Sequence, residues 1–359
     1  MLNFAFWPEV QRGSERILHD LAVDLVALGH TPRLITSHPG RPTTSVEDGF
    51  EITRHWRPPR APLRMRKIEQ NLTHLPFSYA DLLRGRDDVA HAFFPTDAVA
   101  SARWAQKTGR PSIFSYMGIP QRNVISTPRL RLRILEEATR GNTAVTVLSK
   151  ASQEGMWRWL GVRAHLIYPG LDLSLFTPGG ERDPEPTIAC AGAVDDGRKR
   201  VPLLIEAFKL VRRQRPTAKL LLLRPSEPWL EREILDASEG IELYDPDMTG
   251  VADVFRRAWV SGLASYNEAF GLVFVESLAC GTPVFGSNDG GVPEIVDSPD
   301  IGRLFEGDEP SDVAEALLGA LELAEDPGTA AKCRERAEHF TTMRGARQYE
   351  ALYAELLGS

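Results

Sequence analysis

Two acidic residues, Glu268 and Glu276, stand eight positions apart in SYNEAFGLVFVESLACGTPVFGSNDGGVPEIV, residues 265–296. The apolar run WVSGLAS ahead of them predicts a buried strand, and LVFVESLACG predicts a helix that stops at Gly281. That order puts Glu268 at a loop–helix junction and Glu276 about two helical turns further in, on nearly the same face. Unpaired N–H groups at the helix start, with Gly271 permitting close approach, make an anion site suited to phosphate. Ionised carboxylates beside it only accept hydrogen bonds, so they select hydroxyls. Phosphate and vicinal hydroxyls together describe a nucleotide sugar. The plain alternative is an exposed helix start carrying ordinary acidic residues, which that end favours anyway.

EAFGLVFVE, followed by ACGTPV and GGVPEIV, resembles the donor-site signature of family 4 retaining glycosyltransferases of the GT-B fold, without a gap from Ala258 to Val296. The resemblance implies that Glu268 contacts hydroxyls of the transferred sugar and that Glu276 holds the ribose hydroxyls. It assigns the diphosphate to the N–H groups of Phe270, Gly271 and Leu272.

Three further segments resemble the rest of that pocket, each with a departure. In PEVQRGSER, residues 8–16, Gly13 and Glu15 match the family loop, while Arg12 stands where its first glycine belongs. An arginine there offers a charged fork in place of a close backbone approach. In SYMGIP, Gly118 persists and Met117 replaces a histidine that contacts the donor sugar; methionine neither titrates nor bonds strongly. His91 is one substitute, with a satisfied core histidine as the alternative. In CAGAVDDGRKRV, residues 190–201, Ala193 occupies the place of a phosphate-binding arginine and Arg200 that of a glycine. Lys199 is kept, so it is the expected cation for the leaving diphosphate, with Arg198 or Arg200 substituting for the missing arginine. A solvated helix start is the alternative for this basic triplet. Asp245-Pro-Asp247 imitates a manganese-binding pair of another glycosyltransferase fold, but its proline suits a turn.

The elements that must position these residues follow one grammar in both halves. NFAF, PRLIT, FEITRHW, DVAHAFF, SIFSY and AVTVLS predict strands in the first half; TIACAG, AKLLLL, IELY, WVSGLAS, PVFGS and GRLFE do so in the second. Helical spacing in ERILHDLAVDLVALGH, VPLLIEAFKLVRRQ and DVAEALLGALELAE falls between them. Such alternation predicts α/β, doubly wound domains. The resemblance makes them the two Rossmann-like domains of GT-B, facing each other across a cleft. Residues 1–168 would bind acceptor and residues 169–340 the nucleotide-sugar donor, with 341–359 a terminal helix packing back on the first domain. YPGLDLSLFTPGG, rich in Pro and Gly, resembles the family's linker.

Composition fits this frame. The chain has 359 residues, enough for two domains. No apolar run approaches the ~20 residues of a membrane span. MLNFAFWPEV is too short and acidic for a signal peptide and predicts a buried strand. Cys190, Cys280 and Cys333 have no metal-ligand or disulfide spacing, which places the chain in a reducing cytoplasm. Residues 1–170 carry 23 Lys and Arg against 15 Asp and Glu, and residues 171–359 carry 19 against 34. The basic half concentrates its charge at Arg57, Arg60, Arg64, Arg66 and Lys67, and again at Arg129, Arg131 and Arg133. Such segments suit an anionic or lipid-linked acceptor and peripheral contact at the inner membrane face, or simply a solvated surface.

The expected activity is retaining transfer of a hexose from a UDP- or GDP-sugar to an acceptor hydroxyl, with no metal, no other cofactor and no nucleic acid. Alternatives are a nucleotide-sugar-binding GT-B protein with little activity, and a GT-B nucleotide-sugar epimerase.

Overall fold

A computed structural model describes residues 1–10, 12–65, 69–125, 129–245 and 248–358. The chain divides into two compact units, Met1–Gly170 with Thr342–Ser359, and Leu171–Thr341. Each is a Rossmann-like α/β domain with a largely parallel sheet.

In the first unit the strands are β1 (Arg33–His38), β2 (Thr43–Glu47), β3 (Phe50–Trp56), β4 (Ala90–Ala92), β5 (Ser112–Tyr116), β6 (Ala144–Val147) and β7 (His165–Leu166). They pair in the orders β1-β3-β2 and β4-β5-β6-β7. Leu2 joins the two sets, bridging Ile35 of β1 and Ala92 of β4 in parallel. The pairing expected at NFAF therefore falls two to three residues earlier and shortens to a bridge at the buried Leu2. Pairing is parallel except for β2, an exposed polar edge strand antiparallel to β3 that apolar patterning does not reveal. Helices cover both faces. On one, Leu18, Leu21 and Leu25 of the helix Gly13–Ala27 share a core with Ala346, Tyr349 and Leu352 of the helix Thr342–Leu357. On the other, Leu82, Val99, Trp104, Leu135 and Met156 form a second core.

The terminal helix is also locked to the sheet by hydroxyls. Tyr349 Oη lies 2.9 Å from Ser115 Oγ and 3.2 Å from Thr146 Oγ1, and Tyr353 Oη lies 2.7 Å from His91 Nδ1. The other His91 nitrogen is 2.6 Å from Ser115 Oγ. His91 is thus a satisfied core histidine rather than a substitute at position 117.

In the second unit the strands are β8 (Thr187–Cys190), β9 (Lys219–Leu223), β10 (Ile241–Tyr244), β11 (Val260–Leu263), β12 (Val284–Ser287) and β13 (Gly302–Phe305). Among the described residues they form one parallel sheet, ordered β10-β9-β8-β11-β12-β13. The central β8, β11 and β12 are buried along their whole length, as expected of apolar runs covered by helices on both faces. From β8 the chain winds outward through β9 to β10, then returns to β11 and winds the other way. That reversal opens a crevice beyond the carboxyl ends of β8 and β11.

Burial holds the His91 imidazole well below its usual pKa, so the folded protein keeps it neutral. An unfolded chain takes up that proton near pH 6.5, so the stabilisation is complete above that pH and is lost as pH falls. Melting temperature should drop between pH 7.5 and 5.5, and His91→Gln should remove about 1.4 kcal/mol of the stability lost across that whole range.

Candidate active site

The loops after β8 and β11 build the site. The first runs from Cys190 to the short turn Gly197–Lys199 and into the helix Val201–Gln214. The second runs from Leu263 to Gly271 and into the helix Leu272–Ala279. Lys199 Nζ lies 2.6 Å from Glu268 Oε2, with both side chains less than one-fifth exposed. The fold thus joins the expected sugar-binding carboxylate to the expected diphosphate cation.

The basic triplet separates into three roles. Arg198 is 62% exposed and pairs with Asp196 at 2.6 Å, while its carbonyl accepts from the Tyr266 N–H. Arg200 takes a left-handed conformation, φ 48°, which explains the glycine at this place in the family motif. Its Nε donates to the Ala264 carbonyl at 2.6 Å, and it pairs with Asp308. Arg200 is therefore committed to fastening the two loops together. Lys199 is the one of the three paired with Glu268. Ala193 is exposed and brings no cation to the loop.

Gly271 caps the helix at φ 103°, a conformation that stops helical winding from reaching back to Glu268. Glu268 consequently sits in the loop, and Glu276 lies only one turn into the helix rather than two turns from a helical Glu268. No side chain caps this helix start, whose first residue is Leu272. Glu276 is buried, and its charge, after burial itself and Cys190, helps to raise the pKa of Tyr244. Tyr244, at the end of β10, donates to the Cys190 carbonyl at 3.3 Å. Burial also pushes the Cys190 thiol up to about 11, which removes it as a nucleophile at neutral pH.

The sequence motif GGVPEIV has a structural use that its residues do not announce. Gly290, at φ 64°, and Gly291 pass directly beneath the Glu268 loop. Gly291 N–H donates to the Glu268 carbonyl at 2.8 Å, and Asp289 accepts from the Asn267 N–H at 2.6 Å. Tyr244 and Asp289 fall in no motif of the chain, so only their position places them beside these loops.

The first unit holds the remaining candidates. Gly13 opens the helix Gly13–Ala27, and Arg12 is its N-cap, 70% exposed, with Nη2 donating to the buried Glu15 at 3.1 Å. Met117 packs against the core that contains Ile113 and Tyr349. A Cβ on Gly118 would meet only the Tyr116 ring at ordinary contact distance, so the chain itself does not require glycine there.

In the basic segment Arg57 departs from expectation, while Arg60 is exposed. Arg57 is buried, with its guanidinium carbon 5.1 Å from the Phe4 ring centroid and a pairing to Glu9. It anchors the Pro8–Val10 segment and is no part of an anionic-surface patch. Arg131 pairs with Glu69 at 3.0 Å on the helix Arg129–Gly141. Arg66 and Lys67 lie outside the described residues, as does Asp247, while Asp245 accepts from Arg224 at 2.8 Å. No described helix is long and apolar enough to cross a membrane.

Residues 11–175 match the family described as Glycosyltransferase Family 4, and residues 175–340 match Glycosyl transferases group 1. The chain belongs to the family 4, group 1 glycosyltransferases. Similar family members include D-inositol 3-phosphate glycosyltransferases. That of Thermobifida fusca is 28% identical over 280 residues, covering 66% of this chain and 62% of that protein. That of Kribbella flavida is 31% identical over 189 residues, covering 46% and 44%. The chain thus spans less than two thirds of the length of these relatives. Among solved structures, sucrose-phosphate synthase from Thermosynechococcus elongatus superposes with a TM-score of 0.80, 22% identity and coverage of 97% and 94%. Anabaena HepE in complex with UDP-glucose does so at 0.71, 17% identity and coverage of 99% and 98%. These likenesses establish the GT-B fold of this family member.

Gly290→Ala should destabilise the protein by about 1–3 kcal/mol, since the new Cβ would stand 2.3 Å from the Glu268 carbonyl oxygen in a left-handed backbone. Gly197→Ala, with open space around it, is the matched control. Thermal unfolding of the two variants should separate them.

Proposed function

We propose that the chain is a retaining glycosyltransferase that moves a hexose from a nucleoside diphosphate sugar to an acceptor hydroxyl. The observation that carries this reading is the Lys199–Glu268 pair beside an uncapped helix start at a topological switch point. The N–H groups of Phe270, Gly271 and Leu272 and the Lys199 ammonium would take the diphosphate. Glu276 would accept from the ribose hydroxyls, and Glu268 from hydroxyls of the hexose.

As the bond to the diphosphate breaks, negative charge grows on the leaving oxygen. Lys199 and the helix start are fixed in advance to receive it. Glu268 is engaged by Lys199, so it orients sugar rather than attacking carbon. The acceptor hydroxyl would then enter from the face that the diphosphate leaves, passing its proton to a leaving-group oxygen. UDP-glucose in HepE supports uracil as the base, and relatives named for D-inositol 3-phosphate support a phosphorylated polyol as the acceptor.

Exposed Ala193, which leaves the diphosphate one cation short of the family pattern, favours a second reading as a binding protein with little activity. Product analysis separates the two: incubation with UDP- or GDP-hexoses and phosphorylated polyols should release nucleoside diphosphate in step with a glycosylated product. Binding without release would support the second reading.

Glu276→Ala should weaken nucleoside diphosphate binding by about 1.5–3 kcal/mol, the worth of a charge-assisted hydrogen bond. Calorimetry showing unchanged affinity would remove Glu276 from the site. Turnover should persist in EDTA, because Lys199 and the helix start carry the charge that a metal would otherwise neutralise. Loss of activity in EDTA with recovery in manganese would refute that assignment.

A further inference from the structure

We propose that Phe340 is a positioning residue for the loop Glu268–Leu272, acting through Phe270; the inference rests on that loop binding the diphosphate. Phe270 supplies one of the N–H groups assigned to the phosphates, and its side chain is buried away from solvent. Its ring meets the Phe340 ring edge-on, with centroids 5.4 Å apart and planes at 69°. The Arg336 guanidinium carbon lies over the Phe340 ring, 4.9 Å from its centroid. A cation against one aromatic ring, with a second ring meeting it edge-on, fixes orientation as well as distance.

The stack is anchored at both ends. Arg336 donates from Nε to the Ile295 carbonyl at 2.9 Å and from Nη2 to the Glu294 carbonyl at 2.6 Å, and pairs with Asp297 at 2.9 Å. Those carbonyls belong to the short helix Val292–Ile295, directly after the two glycines that carry the Glu268 backbone. The Phe340 carbonyl accepts from the Leu171 N–H at 2.9 Å, and Leu171 bridges Thr341. Leu171 and Thr341 are the first and last residues of this unit. The phosphate loop is therefore seated on the glycine pair beneath it and on Phe340 beside it. One arginine ties both supports together.

Phe340 is enclosed, so its effect on a ligand must pass through the loop. Geometry of this kind matters because displacement of about 1 Å at a binding group costs up to 100-fold in a reacting complex. Removing the ring should loosen the amides that face phosphate while leaving the ribose contact at Glu276, which is held by its own helix.

The test compares Phe340→Leu, which keeps an apolar side chain without the ring, with Phe340→Tyr, which keeps the ring. Affinities for a nucleoside diphosphate and for its parent nucleoside are measured in each, together with amide hydrogen exchange of the ligand-free proteins. In Phe340→Leu, nucleoside diphosphate affinity should fall about three- to ten-fold, the worth of an aromatic pair. Nucleoside affinity should hold, and exchange across 268–272 should quicken relative to β9. Phe340→Tyr should restore both. A uniform loss for nucleoside and diphosphate, no loss at all, or unchanged exchange across 268–272 overturns the inference while leaving the donor site in place. A parent protein that binds no nucleoside diphosphate overturns the donor reading and this inference with it.

Discussion

An ammonium–carboxylate pair drawn from two loops, Lys199 with Glu268 at 2.6 Å, is the interaction on which the site depends. Neither side chain is in free water, so each needs the other. Removing one partner of such a pair leaves an uncompensated charge, which is far costlier than the net worth of the pair itself. The surrounding contacts keep the partners in register. Arg200 fastens its own loop to the Ala264 carbonyl, the Arg198 carbonyl takes the Tyr266 N–H, and Gly291 holds the Glu268 carbonyl. Three short segments thus serve one ion pair, and a ligand phosphate would enter an arrangement already charged and aligned.

The parallel sheet makes this arrangement available. In a doubly wound sheet, loops at the carboxyl ends of strands are covered by the helices that follow them, except where winding reverses. β8 and β11 flank that reversal, and both catalytic candidates come from the loops that follow them. The helix Leu272–Ala279 starts at the same place, with no side chain capping it. The first unit repeats the pattern, with Leu2 between β1 and β4, and places the Arg12–Gly13 loop after its central extended segment.

Departures from the family motif sort into two physical kinds. Arg200 fills a left-handed position that suits glycine and turns its side chain into a clamp, so the backbone demand is met at some strain and the guanidinium is occupied elsewhere. Ala193 and Met117 instead put apolar side chains where the motif has polar ones, one small and exposed and the other packed against the core of its own unit. The first kind preserves the donor loop. The second removes side chains able to hydrogen-bond strongly.

The sequence by itself determined the local elements. Apolar runs marked nearly every buried strand, and EAFGLVFVE marked a strand–loop–helix with its two carboxylates, because those signals lie within a few residues of each other. It also marked Lys199 as the expected cation, through resemblance rather than through any contact legible in one dimension. It missed the edge strand β2, whose exposed polar residues carry no burial pattern. It left Arg57 looking like surface charge, because a neighbouring carboxylate at Glu9 and a ring at Phe4 are joined to it only by the sheet. Tertiary structure alone decided the pairings across long stretches of chain: Lys199 with Glu268, Arg200 with Ala264, the glycine pair beneath Glu268, and Phe340 against Phe270. Such contacts depend on strand order and on which loops emerge at one end of a sheet. Residue type at a single position encodes neither, so the chemistry could be suspected from the sequence but its assembly could not.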